Sequence, residues 1–262
     1  MKSIHRRDRG IKHEEETVRI LKWVGLGLIV VLAIAIIGFV IWGSTPSGPM
    51  PEATTAMQSD AKVQVGTGPW ITFSPVGVQP TTGLIFYPGG HVDARAYAPM
   101  LRQIAERGYL VVLVPMPINL AVFGVNRADQ VIAAHPEIEH WVIGGHSLGG
   151  AMASAYLYGK PDAADGLALW ASYPADNNSL ADRNLKVASI YGTKDGQAAK
   201  IPSSKALLPA SATFAPIEGG NHGQFGWYGS QAGDGQAAIS REAQQAQIVD
   251  ATTALLASLG SK

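Results

Sequence analysis

The chain has no cysteine. That absence excludes disulfide bonds, a thiol nucleophile and thiolate-held metals, although it leaves either redox compartment open. An excess of charge is missing too, since 20 Lys and Arg meet 20 Asp and Glu over 262 residues. The balance hides an asymmetry: residues 1–42 hold seven basic and four acidic side chains, and the remainder holds thirteen and sixteen. Neither part is basic enough to expect nucleic acid as a partner. Metal-ligand spacing of the H-E-x-x-H kind is absent, as is a phosphate-cradling glycine loop, so neither a metal nor another cofactor is expected. Internal repeats and long low-complexity runs are also lacking. What remains is a length sufficient for one sizeable domain and an appendage.

Charge and proline are missing again from Trp23 to Trp42, twenty positions reading WVGLGLIVVLAIAIIGFVIW. At about 1.5 Å per residue, a helix of that length is about 30 Å long, the thickness of a bilayer's hydrocarbon core. A Trp at each end suits the membrane interface, and the lack of any polar face argues against a helix buried in a soluble core. Lys2, Arg6, Arg7, Arg9, Lys12, Arg19 and Lys22 precede the run, whereas no Lys or Arg follows it until Lys62. The positive-inside rule then predicts a single-pass protein of the cell membrane. Residues 1–22 form a basic cytoplasmic segment, 23–42 the transmembrane anchor, and the rest lies outside the cytoplasm. A cleaved signal peptide competes with this reading, but its apolar region is usually shorter, and Ile41-Trp42-Gly43 is a poor cleavage site. Residues 43–60, rich in Pro, Ser, Thr and Gly and without apolar periodicity, read as a flexible linker to a domain over 61–262.

Within that domain short apolar runs alternate with helical segments. Strands are predicted at 61–65, 70–75, 83–87, 109–114, 141–144, 166–171, 187–191 and 213–218. Helices are predicted at 97–107, 127–135, 148–158, 203–208 and 241–259, the first closed by Gly108 and the second halted before Pro136. Strands apolar on both faces and spaced by helices imply a mostly parallel α/β sheet covered by helices on both sides. Reactive groups in such sheets gather in the loops after the strands' carboxyl ends.

Gly145-His146-Ser147-Leu148-Gly149 stands in that position. WVIGG is a strand running into Ser147, and LGGAMASAYLY is a helix leaving it, the strand–turn–helix setting in which a nucleophilic serine projects from a sharp turn. The helix N-terminus behind it favours a developing negative charge. A serine hydroxyl needs a base, and the base needs an acid to orient it. His222, in GGNHGQ, follows the last strand and is the only histidine in the chain order Ser, acid, His. Asp195 follows the strand VASIY and is the expected acid, with Asp176 as the alternative. Backbone donors for an oxyanion are expected at Leu148 and, from the Pro88-Gly89-Gly90-His91 loop, at either Gly90 or His91. Trp227 and Tyr228, in the glycine-rich stretch after His222, are expected to rim the substrate.

The segments LIFYPGGHVD, GGHSLGGAMA, IYGTKDG and EGGNHGQFG together resemble the α/β-hydrolase fold family, especially its small, lid-poor branch of dienelactone hydrolase-like proteins. The likeness runs over about residues 63–259, with the motifs in the family's order. It implies an α/β-hydrolase domain behind the transmembrane helix, with Ser147 as nucleophile, Asp195 as acid and His222 as base. Dienelactone hydrolases use a cysteine nucleophile, which this chain lacks, so their lactone substrate does not carry over. Only about fifteen residues, 172–186, separate two strands where many relatives insert a helical lid, so an open site is expected. The expected function is hydrolysis of an ester or related small acyl substrate. Acyl transfer to an alcohol of the cell envelope and a non-catalytic, membrane-tethered binding domain are the alternatives.

Overall fold

The computed structural model describes residues 4–260, with side chains from residue 19 onward. The basic residues Lys2, Arg6, Arg7, Arg9 and Lys12, on which the expected topology rests, lie outside the described side chains. The chain divides into two units, Met1–Thr45 and Pro46–Lys262. The first is a helix, α1 (Ile4–Gly43). Its part Arg19–Gly43 contains an 18-residue window of mean hydropathy 3.1 and is long and apolar enough to cross a membrane, as an anchor or as a signal sequence. Its large apolar side chains, from Ile20 to Trp42, are exposed, which lipid tolerates and water does not.

The second unit is built on one eight-stranded sheet in the order β1-β2-β4-β3-β5-β6-β7-β8. Its strands are β1 (Val63–Thr67), β2 (Ile71–Pro75), β3 (Thr82–Tyr87), β4 (Leu110–Leu113), β5 (His140–His146), β6 (Gly166–Trp170), β7 (Lys186–Gly192) and β8 (Thr213–Ile217). β1 and β2 are antiparallel to their neighbours, and the remaining pairs are parallel. Every residue of β3, β4 and β6 is buried, as near-continuous apolar runs require in a sheet covered on both sides. Successive side chains take opposite faces. Leu84 and Phe86 enter one core with Tyr97, Met100, Ile104, Trp170, Ile248 and Leu256. Ile85 and Tyr87 enter the other with Ile143, Tyr156 and Leu167. The helices α3 (Ala98–Glu106) and α7 (Arg241–Ala257) cover the first face, and α4 (Ala128–Ala134) and α5 (Leu148–Gly159) the second. Burying a side chain such as fully enclosed Phe86 contributes up to about 3 kcal/mol. Pro216 sits in the edge strand β8, where its missing N–H breaks no ladder.

Local departures from the sequence pattern follow from capping. The helix expected from Tyr97 begins at Ala98, because Asp93 caps a 3-10 turn at Ala94–Tyr97 by accepting the Arg95 N–H at 2.9 Å. The helix expected at 203–208 is a four-residue α6 (Lys200–Ser203) continued by a 3-10 turn.

The stretch expected to be a flexible linker is folded onto the domain from Ser47 onward. Ser47 pairs with Val92 as a parallel bridge, donating its N–H to the His91 carbonyl at 2.9 Å and accepting the Asp93 N–H at 3.0 Å. The Met50 N–H donates to the Trp227 carbonyl at 2.8 Å, and a short helix, α2 (Pro51–Thr55), buries Ala53 completely. Arg102 holds the segment's end, donating to the carbonyls of Ala56 and Gln58 and pairing with Asp60. Composition suggested a coil. Backbone pairing and one small buried side chain make it a strap.

Candidate active site

β5 delivers Ser147 and α5 leaves it, and between them Ser147 takes φ 52° and ψ −121°. A non-glycine residue is rarely found there, at a cost of about 1–3 kcal/mol. The surroundings impose it. The Ser147 N–H donates to the Trp170 carbonyl at 2.9 Å, while its carbonyl accepts the Ser172 hydroxyl at 2.6 Å and the Ala151 N–H at 3.1 Å. The turn packs so tightly on β3 that a Cβ at Gly145 would stand 2.5 Å from the Tyr87 carbonyl oxygen, and one at Gly149 would overlap the same oxygen. Both glycines of the G-x-S-x-G motif are therefore steric requirements.

His222 lies in the loop after β8 and is buried, as is Asp195 after β7. His222 Nδ1 lies 2.7 Å from Asp195 Oδ2, and Asp195 Oδ1 accepts the Gln197 N–H at 2.7 Å. A carboxylate only accepts, so the ring proton belongs on Nδ1 and the lone pair on Nε2. That Nε2 is buried without a hydrogen-bond partner. Asp176 is exposed and makes no bond to His222, so of the two carboxylates weighed for this place Asp195 holds it. Ser147 and His222 line one cleft of about 500 Å³, together with Ala171, Tyr173, Gln197 and Lys200. Ser147 and His222 are not hydrogen-bonded to each other here, a looseness common before substrate arrives.

The loop after β3 supplies the second wall. Its Gly89 N–H donates to Tyr97 Oη at 3.0 Å, and its His91 N–H to the Asn119 carbonyl at 2.8 Å. Of the two amides expected to face an oxyanion, the one of His91 is thus already committed. Gly90 remains, and its Cα packs against Leu148, with a Cβ there reaching 3.0 Å from Leu148 Cδ2. The amides of Gly90 and Leu148 donate to no group among the described residues. Tyr97 Oη also lies 2.9 Å from His146 Nδ1, and the His146 ring stands 4.4 Å from that of His222. Burial, and then the neighbouring His222, hold the His146 pKa well below its ordinary value, so this histidine is neutral. A second recess of about 220 Å³ is lined by Ser147, Gly90, His91 and Tyr228, so Ser147 borders two recesses.

The expected aromatic rim needs correction. Trp227 is buried, donates Nε1–H to Gln245 Oε1 at 2.7 Å, and lies under the Arg241 guanidinium at 5.1 Å. It anchors its loop to α7, because an indole with an internal partner gains more from packing than from exposure. Tyr228 is buried as well, but it borders the smaller recess. No group of three or more His, Asp or Glu gathers at metal-binding distance among the described residues.

Residues 83–246 match the model of the alpha/beta hydrolase family. The chain belongs to that family. No curated protein sequence matches it. Among solved structures, dienelactone hydrolase from Anabaena variabilis is similar at 14% identity and a TM-score of 0.55, over 74% of this chain and 99% of that one. A predicted CIB-like hydrolase from Thermoplasma acidophilum is similar at 15% identity and a TM-score of 0.51, over 72% of this chain and 96% of that one. Both likenesses concern the fold.

Several residues that hold this hydrolase's site are invisible to motif reading. Gln244 is fully buried, accepting the Asn221 N–H at 2.9 Å and donating to the Asn221 carbonyl at 2.7 Å, one residue before His222. Arg241 donates to the carbonyls of Gly223 and Gly226. Tyr97 accepts the Gly89 N–H in the loop after β3, and Ser172 donates to the Ser147 carbonyl. The one available signal was a Gln-Gln pair at a core-facing level of α7, where glutamine is seldom buried without a partner.

Proposed function

We propose that this hydrolase is a serine esterase acting on small acyl substrates through Ser147, His222 and Asp195. The observation that carries the reading is the His222–Asp195 pair: His222 Nε2 is buried and unpartnered, and His222 lines the cleft that Ser147 also lines. His222 takes the proton as Ser147 Oγ attacks the carbonyl, and Asp195 stabilises the imidazolium that forms. The amides of Leu148 and Gly90 receive the oxyanion, and collapse expels the alcohol with the proton from His222. Water, activated by the same histidine, then releases the acid. The N-terminal helix is proposed to keep the enzyme in the cell membrane with its domain outside the cytoplasm, a reading supported by the basic residues ahead of the apolar run and by the lack of any behind it until Lys62.

The test is a fluorophosphonate probe and a p-nitrophenyl ester series applied to the full chain in detergent. The wild type should label and turn over. Ser147→Ala should lose labelling and at least about 10³-fold in kcat/KM while keeping its fold. Hydrolysis surviving in folded Ser147→Ala would remove the serine mechanism.

A further inference from the structure

The loop that carries His222 has a second anchor that no motif contains. Asp234, twelve residues beyond His222, turns both carboxylate oxygens onto the loop's backbone. Oδ1 accepts the His222 N–H at 3.0 Å and the Gly235 N–H at 2.9 Å, and Oδ2 accepts the Gly223 N–H at 2.7 Å. The amides of 222 and 223 open the 3-10 turn Gly223–Phe225, where N–H groups have no partner of their own. Arg241 meanwhile takes the carbonyls of Gly223 and Gly226. An anion on the amides and a cation on the carbonyls hold one short loop from two sides. Charged partners of this kind make shorter and stronger hydrogen bonds than neutral ones.

The segment bearing Asp234 also closes over the pair it supports. Asn221 donates Nδ2–H to the Gly235 carbonyl at 2.9 Å, and the Gly233 carbonyl oxygen would stand 2.5 Å from a Cβ on Gly196. Gly235 packs against the Lys194 carbonyl, so the segment lies on both residues flanking Asp195. Side chains of His222 and Asp195 are left 5% and 1% exposed, which keeps water from competing for their bond.

We propose that Asp234 is a positioning residue, fixing the backbone of His222 so that its Nδ1 meets Asp195 and its Nε2 faces the Ser147 cleft. The proposal rests on the reading of His222 as the base. An imidazole set by about 1 Å in the wrong place loses on the order of 100-fold in rate without losing substrate binding. Asp234 itself touches neither substrate nor reacting atoms.

The experiment uses the full chain in detergent, with Asp234→Asn, Asp234→Glu and His222→Ala. Asn keeps one acceptor oxygen but opposes an amide N–H with its own NH₂. Active sites are counted by the pre-steady-state burst with a p-nitrophenyl ester, and kcat is expressed per active site. Asp234→Asn should lower that kcat by about 10- to 100-fold with KM within about two-fold, and should shift or broaden the low-field proton resonance of the His222–Asp195 bond. Asp234→Glu, which keeps both oxygens, should recover part of the loss. Wild-type kcat per site in Asp234→Asn, with an unchanged low-field proton, would overturn the proposal, as would a loss confined to the number of active sites. If Asp234→Asn does not fold, Asp234→Glu is judged by the same two readouts, with a smaller kcat loss expected. An active His222→Ala would instead remove the reading beneath the proposal.

Discussion

Ser147 occupies a backbone conformation that its own Cβ disfavours, and it does so because three groups around it bind its N–H and carbonyl. The strain keeps the hydroxyl at the tip of the turn and out of the helix that follows. A glycine there would relieve the strain, and an alanine would not, although each deletes the hydroxyl. Ser147→Gly is therefore expected to melt above Ser147→Ala, with a difference of about 1 kcal/mol left after glycine's greater freedom in the unfolded chain is subtracted. Both should be inactive. Thermal midpoints of the two variants side by side check the point, and equal midpoints would mean that the turn relaxes when the hydroxyl leaves.

At the level of elements, α7 does more than cover the sheet. Its first turns present Arg241, Gln244 and Gln245 to the loop from Asn221 to Trp227, and Gln244 meets both backbone groups of Asn221. Truncating Gln244 to alanine leaves the partly buried N–H and carbonyl of Asn221 without their partner, a loss of about 1–3 kcal/mol. Gln244→Ala should accordingly lower the denaturant midpoint and depress kcat, whereas Gln247→Ala, on the exposed side of the same helix, should do neither. The strands and α5 were legible beforehand because apolar runs on a two-sided sheet and the G-x-S-x-G turn are dictated by sequence-local sterics. Ser147, Asp195 and His222 stood at strand ends for the same reason. The supports around them were not legible. Gln244 looks like any helix-surface glutamine until the loop it meets is known, and Asp234 looks like turn chemistry in GSQAGDG. Trp227 misled for a related reason: an aromatic in a glycine-rich loop says nothing about which way the loop folds.

On the scale of the whole molecule, acid should loosen the fold before the exposed carboxylates titrate. His146 is neutral in the folded state, because burial and His222 depress its pKa, but it takes up a proton once the chain unfolds. The unfolded state then binds more protons below about pH 6.5, so stability falls as pH drops through that value. The decline continues toward the depressed folded pKa, with a limiting slope of about 1.4 kcal/mol per pH unit for this one group. Thermal midpoints between pH 8 and 5 should show it, and His146→Gln should flatten that part of the curve. An equally steep curve in the variant would assign the acid sensitivity elsewhere.

On the proposed membrane anchoring, the docked strap has a consequence for how this protein could be shed. Endoproteases need several residues of backbone freed into an extended form, and backbone already held in a folded unit resists them. From Ser47 onward the chain is bonded to the loops at His91 and Trp227, and α1 runs to Gly43. Ser44 to Pro46 join the two stretches, with the Ser44 and Thr45 N–H groups bonded only to the last carbonyls of α1. A sheddase acting there would release a form that still carries its strap, and with it both loops in their working positions.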